Sequence, residues 1–302
     1  MNKKRRPRPY TRLVSGMGLL NIVRKGTSYS YWRDPYHLLL TISWLGFLGM
    51  FAGLYLASNV VFALVYLVGG NCIENAQPGS FLDAFFFSVQ TMATIGYGAM
   101  YPRTTYANGV VTIEALMGML GVAMVTGLAF ARFSLPTAKV LFSRVAVIAP
   151  FDGVPTLMFR TANKRHNLIV EAQLQVTLVR NQVNQEGYFM RREHDLKLVR
   201  NQTAIFSLTW MVMHPIDEHS PLYGATAETL ADAEAEIVVT LTGIDETVSQ
   251  TIHSRHSFVA SEILWNMQFV DTLSKTADGK LAIDYSHFHH IVPCNSRNPS
   301  VI

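Results

Sequence analysis

The chain has 302 residues, of which 49% are hydrophobic and 15% are charged, and its formal net charge at pH 7 is +4. Soluble domains usually carry about 25% charged residues, so this composition favours a membrane protein over an ordinary soluble one. The two cysteines, Cys72 and Cys294, are too few for a disulfide framework or a Cys-based zinc site. The sequence has no P-loop and no dinucleotide-binding fingerprint, so nothing in it indicates an enzyme.

Residues 1–37 combine a basic cluster with an aromatic segment. The cluster consists of Lys3, Lys4, Arg5, Arg6, Arg8 and Arg12. A nucleic-acid-binding arm would have a similar composition, but a hydrophobic span follows closely, so we favour a cytoplasmic tail with no nucleic-acid partner. Aromatic and charged residues mix in segment 29–37, which is typical of an amphipathic helix at a membrane surface or of an aromatic belt at the end of a span.

The first half of the chain predicts two transmembrane helices. Residues 38–73 contain no charged residue, and we place an outer helix at 38–70. A second uncharged run places an inner helix at 106–133, inside a transmembrane domain of residues 38–137. Basic residues precede the first span and follow the second, whereas Arg103 is the one basic residue between the two spans. We therefore expect a multi-pass plasma-membrane protein whose N- and C-termini are both cytoplasmic.

The connection between the spans carries the most specific motif. Residues 81–92 are apolar but too few to cross a membrane, which indicates a re-entrant pore helix. The next residues match the potassium-channel selectivity filter: Thr94, Ile95, Gly96, Tyr97 and Gly98. In such a filter, backbone carbonyls replace the water around a K+ ion, and glycines allow the backbone conformations that aim successive carbonyls at one axis.

One filter strand cannot surround an ion, so the motif predicts a homotetramer with K+ ions in the filter. We expect Ile95 and Tyr97 to point away from the axis and to pack the filter against its pore helix. No cofactor and no other metal site is expected.

From residue 138 to residue 302 the sequence predicts a cytoplasmic all-β domain. Hydrophobic and polar residues alternate in several short runs, for example 205–210 and 237–242, and turn residues separate these runs. Many short strands without intervening helices favour a β-sandwich.

Taken together, the sequence resembles the inward-rectifier potassium channel family, and in particular its prokaryotic members. The resemblance covers about residues 31–293 and rests on the filter and on four cytoplasmic segments, which are residues 166–172, 214–223, 261–265 and 284–289. It implies a bacterial inner-membrane channel with an interfacial slide helix and an immunoglobulin-like cytoplasmic sandwich whose copies extend the pore.

The resemblance also implies roles for residues along the pore. On the inner helix, Gly118 corresponds to a glycine hinge, Val122 and Thr126 face a central cavity, and Phe130 lies at a gate where the helices converge. In the cytoplasmic domain, a ring of Glu171 side chains attracts cations. A second constriction is expected in the loop 243–249, at Gly243, Ile244 and Ser249.

Departures from the family pattern modify these expectations. Strong rectifiers carry an acidic residue in the cavity, where Val122 stands here, so block by Mg2+ or polyamines is expected to give weak inward rectification at most. Gln90 and Met100 replace a Glu–Arg pair that braces the filter of animal members. Glu114 is a candidate for that bracing role.

Two further interpretations concern regulation and selectivity. Anionic membrane lipid is the expected regulator, with Trp32, Arg132 and Lys139 as the candidate contacts. A poorly selective cation channel is the alternative function, although Tyr97 and Gly98 argue against it. A membrane-anchored β-sandwich that binds a cytoplasmic partner is the remaining hypothesis, and it predicts no ion flux.

Overall fold

A computed structural model describes Arg12 and residues 34–165, 167–275 and 281–294. The described residues divide into two compact units. One lies within residues 26–135, and the other consists of Arg12 and the chain from residue 136 onward. Each unit is described below by itself.

The first unit is helical. Its helices are α1 (Pro35–Thr41), α2 (Trp44–Val68), α3 (Phe81–Met92) and α4 (Thr105–Phe133), and two short strands, β1 (Ile73–Glu74) and β2 (Tyr101–Pro102), pair antiparallel on either side of α3 in the sequence. Helices α2 and α4 have 25 and 29 residues. At 1.5 Å per residue both exceed the roughly 30 Å of a bilayer core, whereas the 12 residues of α3 reach only about 18 Å. The unit therefore has two helices able to span a membrane and a shorter one between them.

The outer span differs from the single helix predicted over 38–70. The structure starts α1 at Pro35, where a proline at the first turn and the Asp34 side chain, which accepts from the His37 N–H, favour helix initiation. The helix stops at Ile42, whose backbone is extended, and Ser43 caps the start of α2. A charge-free run does not reveal such a break, because the residues on both sides are equally apolar. Trp32 lies outside the described residues.

The second unit confirms the predicted β-sandwich. Its strands are β3 (Val140–Phe142), β4 (Ala146–Phe151), β5 (Val154–Asn163), β6 (Ile169–Val183), β7 (Phe189–Asp195), β8 (Gln202–Phe206), β9 (Thr209–Pro215), β10 (Glu236–Asp245), β11 (Gln250–Val259), β12 (Ile263–Trp265), β13 (Met267–Phe269), β14 (Leu273–Lys275), β15 (Leu281–Ile283) and β16 (Ile291–Pro293). A short helix, α5 (Ala227–Asp232), precedes β10.

Two five-stranded sheets form the body of this unit. One has the order β11-β10-β6-β7 with β8 also paired to β6, and the other has the order β12-β4-β5-β3 with β9 also paired to β5. Every second residue of β10 is buried, as expected for a strand with one face on a core. The buried side chains form one large cluster, which includes Leu157, Phe159, Leu174, Leu178, Ile237 and Leu241.

The segment 214–223 contributes a buried histidine that fixes the end of β9. The Nδ1 of His214 lies 2.7 Å from the carbonyl oxygen of Lys197, and its Nε2 lies 2.7 Å from the Ser220 hydroxyl. Burial lowers the pKa of His214 below its usual value, although the Lys197 carbonyl opposes that shift. The histidine is therefore neutral near pH 7 and holds the turn that follows β9.

Candidate ion-conduction site

The loop that follows α3 has an unusual backbone. The φ angles of Thr94, Gly96 and Gly98 are +57°, +59° and +81°, whereas Ile95 and Tyr97 between them have no positive φ. In an ordinary strand successive carbonyls point to opposite sides, and reversing the handedness at every second residue turns them toward the same side. Glycine accepts a positive φ without cost, but a β-branched threonine there is a strained outlier of a kind that clusters at functional sites.

The loop starts directly at the C-terminus of α3. The backbone N–H of Thr94 donates to the Thr91 carbonyl at 3.0 Å, and that of Ile95 donates to the Gln90 carbonyl at 2.8 Å. The last turn of α3 therefore fixes the first two residues of the motif. The negative end of the α3 dipole points toward this end of the loop, where it favours a cation.

The side chains of the loop are partly exposed in the single chain. Ile95 is 46% exposed and Tyr97 is 75% exposed. We expected both to point away from the axis and to pack the filter against its pore helix. In the single chain their exposed surfaces are available for contact with other copies.

The outer end of the loop is tied to the segment before α3. Asn75 donates from its side-chain amide to the Ala99 carbonyl at 2.8 Å, and the Arg103 N–H donates to the Cys72 carbonyl at 2.8 Å. The Glu74 carboxylate lies 3.5 Å from the Arg103 guanidinium, beside the paired strands β1 and β2. These contacts hold the two ends of the connection between α2 and α4 together.

Behind α3 lies a buried polar cluster that includes Glu114. The Glu114 side chain is 0% exposed. The Tyr66 hydroxyl lies 2.5 Å from its Oε2, and the Ser88 hydroxyl is hydrogen-bonded to its Oε1. Glu114 thus contacts the middle of α3 rather than the loop itself. It connects α4 to both α2 and α3.

Gly118 lies one turn further along α4 and packs against the end of α3. It is buried, and a Cβ atom added at this position would stand 2.2 Å from the carbonyl oxygen of Met92. Met92 is the last residue of α3, two positions before Thr94. The structure therefore gives Gly118 a packing requirement, in addition to the hinge that the resemblance implies.

The other predicted inner-helix residues continue from Gly118 along one face of α4. Val122, Thr126 and Phe130 follow at intervals of four residues, a spacing that places side chains on one stripe of a helix. All three are exposed in the single chain, with Val122 at 66% and Phe130 at 74%. This stripe is available to face an axis shared with other copies.

Arg132 has partners within its own unit. Its guanidinium donates to the Leu39 carbonyl at 2.7 Å and to the Ile42 carbonyl, both at the break between α1 and α2. It also lies 4.7 Å from the ring centroid of Trp44 and 4.9 Å from that of Phe47. These contacts satisfy carbonyls that the end of α1 leaves without helical partners, so Arg132 fixes the corner between the two helices.

In the second unit, Glu171 and Gly243 face each other across a β-bulge. Strand β10 pairs Thr242 with Gln173 and Ile244 with Val170, so two residues of β6 oppose Gly243 alone. Glu171 has a φ of +51° and an exposed side chain. A Cβ at Gly243 would stand 2.6 Å from Ile169, which explains the glycine.

The expected cytoplasmic loop 243–249 is shorter in the structure. Strand β10 continues through Gly243 and Ile244 to Asp245, and only residues 246–249 form the turn to β11. Pairing with β11 continues without interruption as far as Asp245 and so extends β10. The sequence did not show this extension, because Gly243 suggested a loop. Ser249 lies at the end of the turn with a φ of +51°.

Asp245 is a residue that sequence reasoning missed. It is 2% exposed and lies 3.2 Å from the Arg165 guanidinium. It also accepts from the Asn167 side chain at 2.7 Å and from the Thr247 N–H at 3.0 Å. An Asp whose side chain accepts from the N–H two residues later is a common turn pattern, and that local signal could have identified it. Arg165 and Asn167 come from the distant β5–β6 connection and carry no local signal.

Two membrane-capable helices, a shorter helix and a backbone loop between them, followed by a β-sandwich, define a two-span channel. Residues 140–301 match the family described as "Inward rectifier potassium channel C-terminal domain", and residues 49–134 match the family described as "Ion channel". The chain therefore belongs to the inward rectifier potassium channel family, as the sequence predicted, and is a channel rather than an enzyme.

Individual relatives agree with this assignment. The chain is 52% identical over 281 residues to the inward rectifier potassium channel Kirbac3.1 of Paramagnetospirillum magnetotacticum, covering 93% of this chain and 95% of the relative. It is 31% identical to the ATP-sensitive inward rectifier potassium channel 12 of Mus musculus, covering 87% of this chain and 66% of the relative. The solved structure "AvmM Catalyzes Macrocyclization in Alchivemycin A Biosynthesis" matches 40% of this chain and 87% of that structure's chain, at 13% identity and a TM-score of 0.21. This similarity is too low to indicate a shared fold.

The contact between Gly118 and Met92 makes a direct prediction. Gly118→Ala places a methyl group 2.2 Å from a backbone oxygen that has no freedom to rotate away. We expect a loss of stability of about 1–3 kcal/mol and a loss of ion flux, because α4 must move away from α3. Thermal stability of the detergent-purified protein and flux in liposomes measure both effects.

The matched control is Gly121→Ala on the same helix, where an added Cβ meets nothing within 4 Å of the single chain. This variant should keep its flux and its stability. Equal behaviour of the two alanine variants would contradict the packing role of Gly118.

Proposed function

We propose that four copies of this chain form a potassium-selective channel of the inward-rectifier type, with residues 94–98 of each copy as the selectivity filter. The observation that carries the proposal is the alternating backbone handedness at Thr94, Gly96 and Gly98, directly after a helix too short to cross the membrane. Four such loops supply stacked rings of carbonyl oxygens that replace the water shell of K+. The exposed Ile95 and Tyr97 support an assembly in which neighbouring copies cover them.

The rest of the conduction path follows from the same symmetry. Four α4 stripes with Val122, Thr126 and Phe130 line a cavity below the filter. Four Phe130 side chains form a closed constriction when they meet, because a narrow apolar ring excludes water. In the cytoplasmic domain, Glu171 side chains at the β-bulge form an acidic ring, and Gly243, Ile244 and Ser249 belong to a second constriction. Both chain termini lie in the cytoplasm.

Ion flux from purified protein in liposomes tests this function. We expect uptake of K+, sensitivity to Ba2+, and at least tenfold lower permeability to Na+, because a filter that closely replaces the K+ hydration shell does so poorly for the smaller ion. Equal Na+ and K+ fluxes would instead support a poorly selective cation channel. Absence of any flux would support a membrane-anchored sandwich.

Weak rectification is expected from the cavity. Val122 places an apolar side chain where an acid would hold Mg2+ or a polyamine, and the Glu171 ring remains to attract such blockers. Val122→Asp adds four carboxylates to the cavity of the tetramer and should increase block of outward current by internal spermine by about tenfold or more, since each charge attracts the polycation through a low dielectric. Current–voltage relations with and without spermine measure this.

The isosteric variant Val122→Thr is the control, because it adds polarity without charge. It should rectify like the wild type. Steep voltage-dependent block of the unmodified channel would contradict the assignment of Val122 to the cavity.

Anionic lipid is the proposed regulator, and Lys139 is the residue that we assign to it. Its side chain is exposed, whereas the donors of Arg132 contact backbone carbonyls and aromatic rings. We therefore propose that Lys139 contacts lipid headgroups, whereas Arg132 fixes the α1–α2 corner. Trp32 remains a candidate headgroup contact.

Lys139→Ala should shift the dependence of flux on anionic lipid by about fivefold, since a basic residue near a membrane surface contributes about 1 kcal/mol. Flux in liposomes with a graded fraction of anionic lipid measures the shift. Lys197→Ala, which removes another exposed lysine of the same unit, is the control and should behave as wild type. An unchanged lipid dependence in Lys139→Ala would rule out this contact.

A further inference from the structure

The buried cluster behind α3 extends beyond Glu114 and connects three helices. Ser88 of α3 is hydrogen-bonded both to Glu114 of α4 and to the side-chain oxygen of Asn59 of α2, the latter at 2.9 Å. The amide nitrogen of Asn59 donates to the Tyr55 carbonyl at 2.7 Å and lies 3.7 Å from the sulfur of Met92. Asn59, Ser88 and Glu114 are each 0% exposed.

The number of hydroxyl protons in this cluster decides which group donates each hydrogen bond. Two acceptors surround the amide nitrogen of Asn59, so the amide oxygen must face Ser88 and accept a hydrogen bond from its hydroxyl. A serine hydroxyl has one proton, and that proton is used by Asn59. The hydrogen bond between Ser88 and Glu114 therefore needs its proton from Glu114. The Tyr66 hydroxyl supplies the bond to the other Glu114 oxygen.

From this count we propose that Glu114 is a neutral carboxylic acid that donates to Ser88 and positions the pore helix, and hence the filter. The chain of donors runs from Glu114 to Ser88, then to Asn59, and ends at the Tyr55 carbonyl and the Met92 sulfur. Every bond of the chain lies between two of the helices α2, α3 and α4, or within α2. The inference rests on the proposed filter, because a positioning role has meaning only if residues 94–98 select the ion.

The absence of a charged partner supports the neutral form. Helices α2, α3 and α4 contain one Lys, Arg or His among them, Arg132, which lies 18 residues from Glu114 and therefore about 27 Å along α4. A buried carboxylate without a cation is costly at membrane depth. In a tetramer, four such carboxylates would also place four fixed negative charges beside the ion path, whereas the neutral acid holds α3 without adding any charge.

The cluster reaches the filter through Met92. Its sulfur lies against Asn59, its carbonyl oxygen lies against Gly118, and its backbone is two residues from Thr94. A shift of α3 relative to α2 or α4 would therefore displace the first carbonyl ring. Glu114 is a positioning residue for the filter, and it does not touch the ion.

Glu114→Gln tests the proposal, because an amide reproduces the pattern of a neutral acid. Its NH2 donates to Ser88 and its carbonyl oxygen accepts from Tyr66. We expect this variant to keep the K+-to-Na+ permeability ratio of the wild type within about twofold, whereas Glu114→Leu and Ser88→Ala, which leave buried groups without partners, should lower it by about tenfold. Flux ratios in liposomes measure these effects.

A spectroscopic readout reports the proton directly. The infrared difference between wild type and Glu114→Gln, recorded in lipid at neutral pH, should contain the C=O stretch of a protonated carboxylic acid that shifts in heavy water. A difference in the carboxylate bands instead would overturn the proposal, as would a loss of selectivity in Glu114→Gln comparable to that of Glu114→Leu. If Glu114→Leu does not assemble, Ser88→Ala and the infrared band decide the matter.

These outcomes separate the inference from the proposed function. A wild-type protein that does not distinguish K+ from Na+ would refute the filter, while the infrared band would still decide the state of Glu114. A selective wild type without the carboxylic-acid band would refute only the inference.

Discussion

A polar group at membrane depth must find its partner within the protein, and the helical unit is organised around this constraint. The guanidinium of Arg132 donates to carbonyls at the break between α1 and α2. The carboxyl group of Glu114 has hydroxyl partners from two other helices. Among the residues that the structure describes, no backbone N–H donates to the carbonyls of residues 94–98, and in the proposed channel the permeating ion is their partner. In that channel, selectivity for K+ follows from these backbone carbonyls, which are available to bind the ion.

The same constraint explains how α3 is held in place. A 12-residue helix has little surface with which to anchor itself, and it is fixed by contacts on several sides. Glu114 and Asn59 contact Ser88, Gly118 leaves room for the carbonyl of Met92, and the pairing of β1 with β2 restrains the segments before and after the helix. In the proposed channel the Ser88–Glu114 hydrogen bond and the Glu74–Arg103 ion pair brace this region, where the resemblance implies that Gln90 and Met100 replace a charged pair.

Positive φ angles at residues other than glycine occur at the proposed filter and at the proposed cytoplasmic constriction, among other positions. Thr94 has a positive φ in the helical unit, and Glu171 and Ser249 have positive φ in the β unit. Such conformations cost of order 1–3 kcal/mol for residues other than glycine, and they persist where the surrounding structure enforces them. Around Glu171 the enforcing structure is the bulge opposite Gly243.

The sequence alone determined the class of this protein. Charge-free runs long enough to span a bilayer, a short apolar run between them and the residues 94–98 identify a two-span channel, because each pattern reflects a local requirement of length, hydrophobicity or backbone freedom. Alternation in the second half likewise predicted the sandwich. The tertiary structure decided what depends on residues distant in the sequence. It broke the outer run at Ile42, placed the Arg132 guanidinium against carbonyls at that break, extended β10 through Gly243, and brought Asn59, Ser88 and Glu114 together. No local pattern contains these facts, because a hydrogen bond between helices depends on how their faces meet, and a sequence read one segment at a time does not specify that.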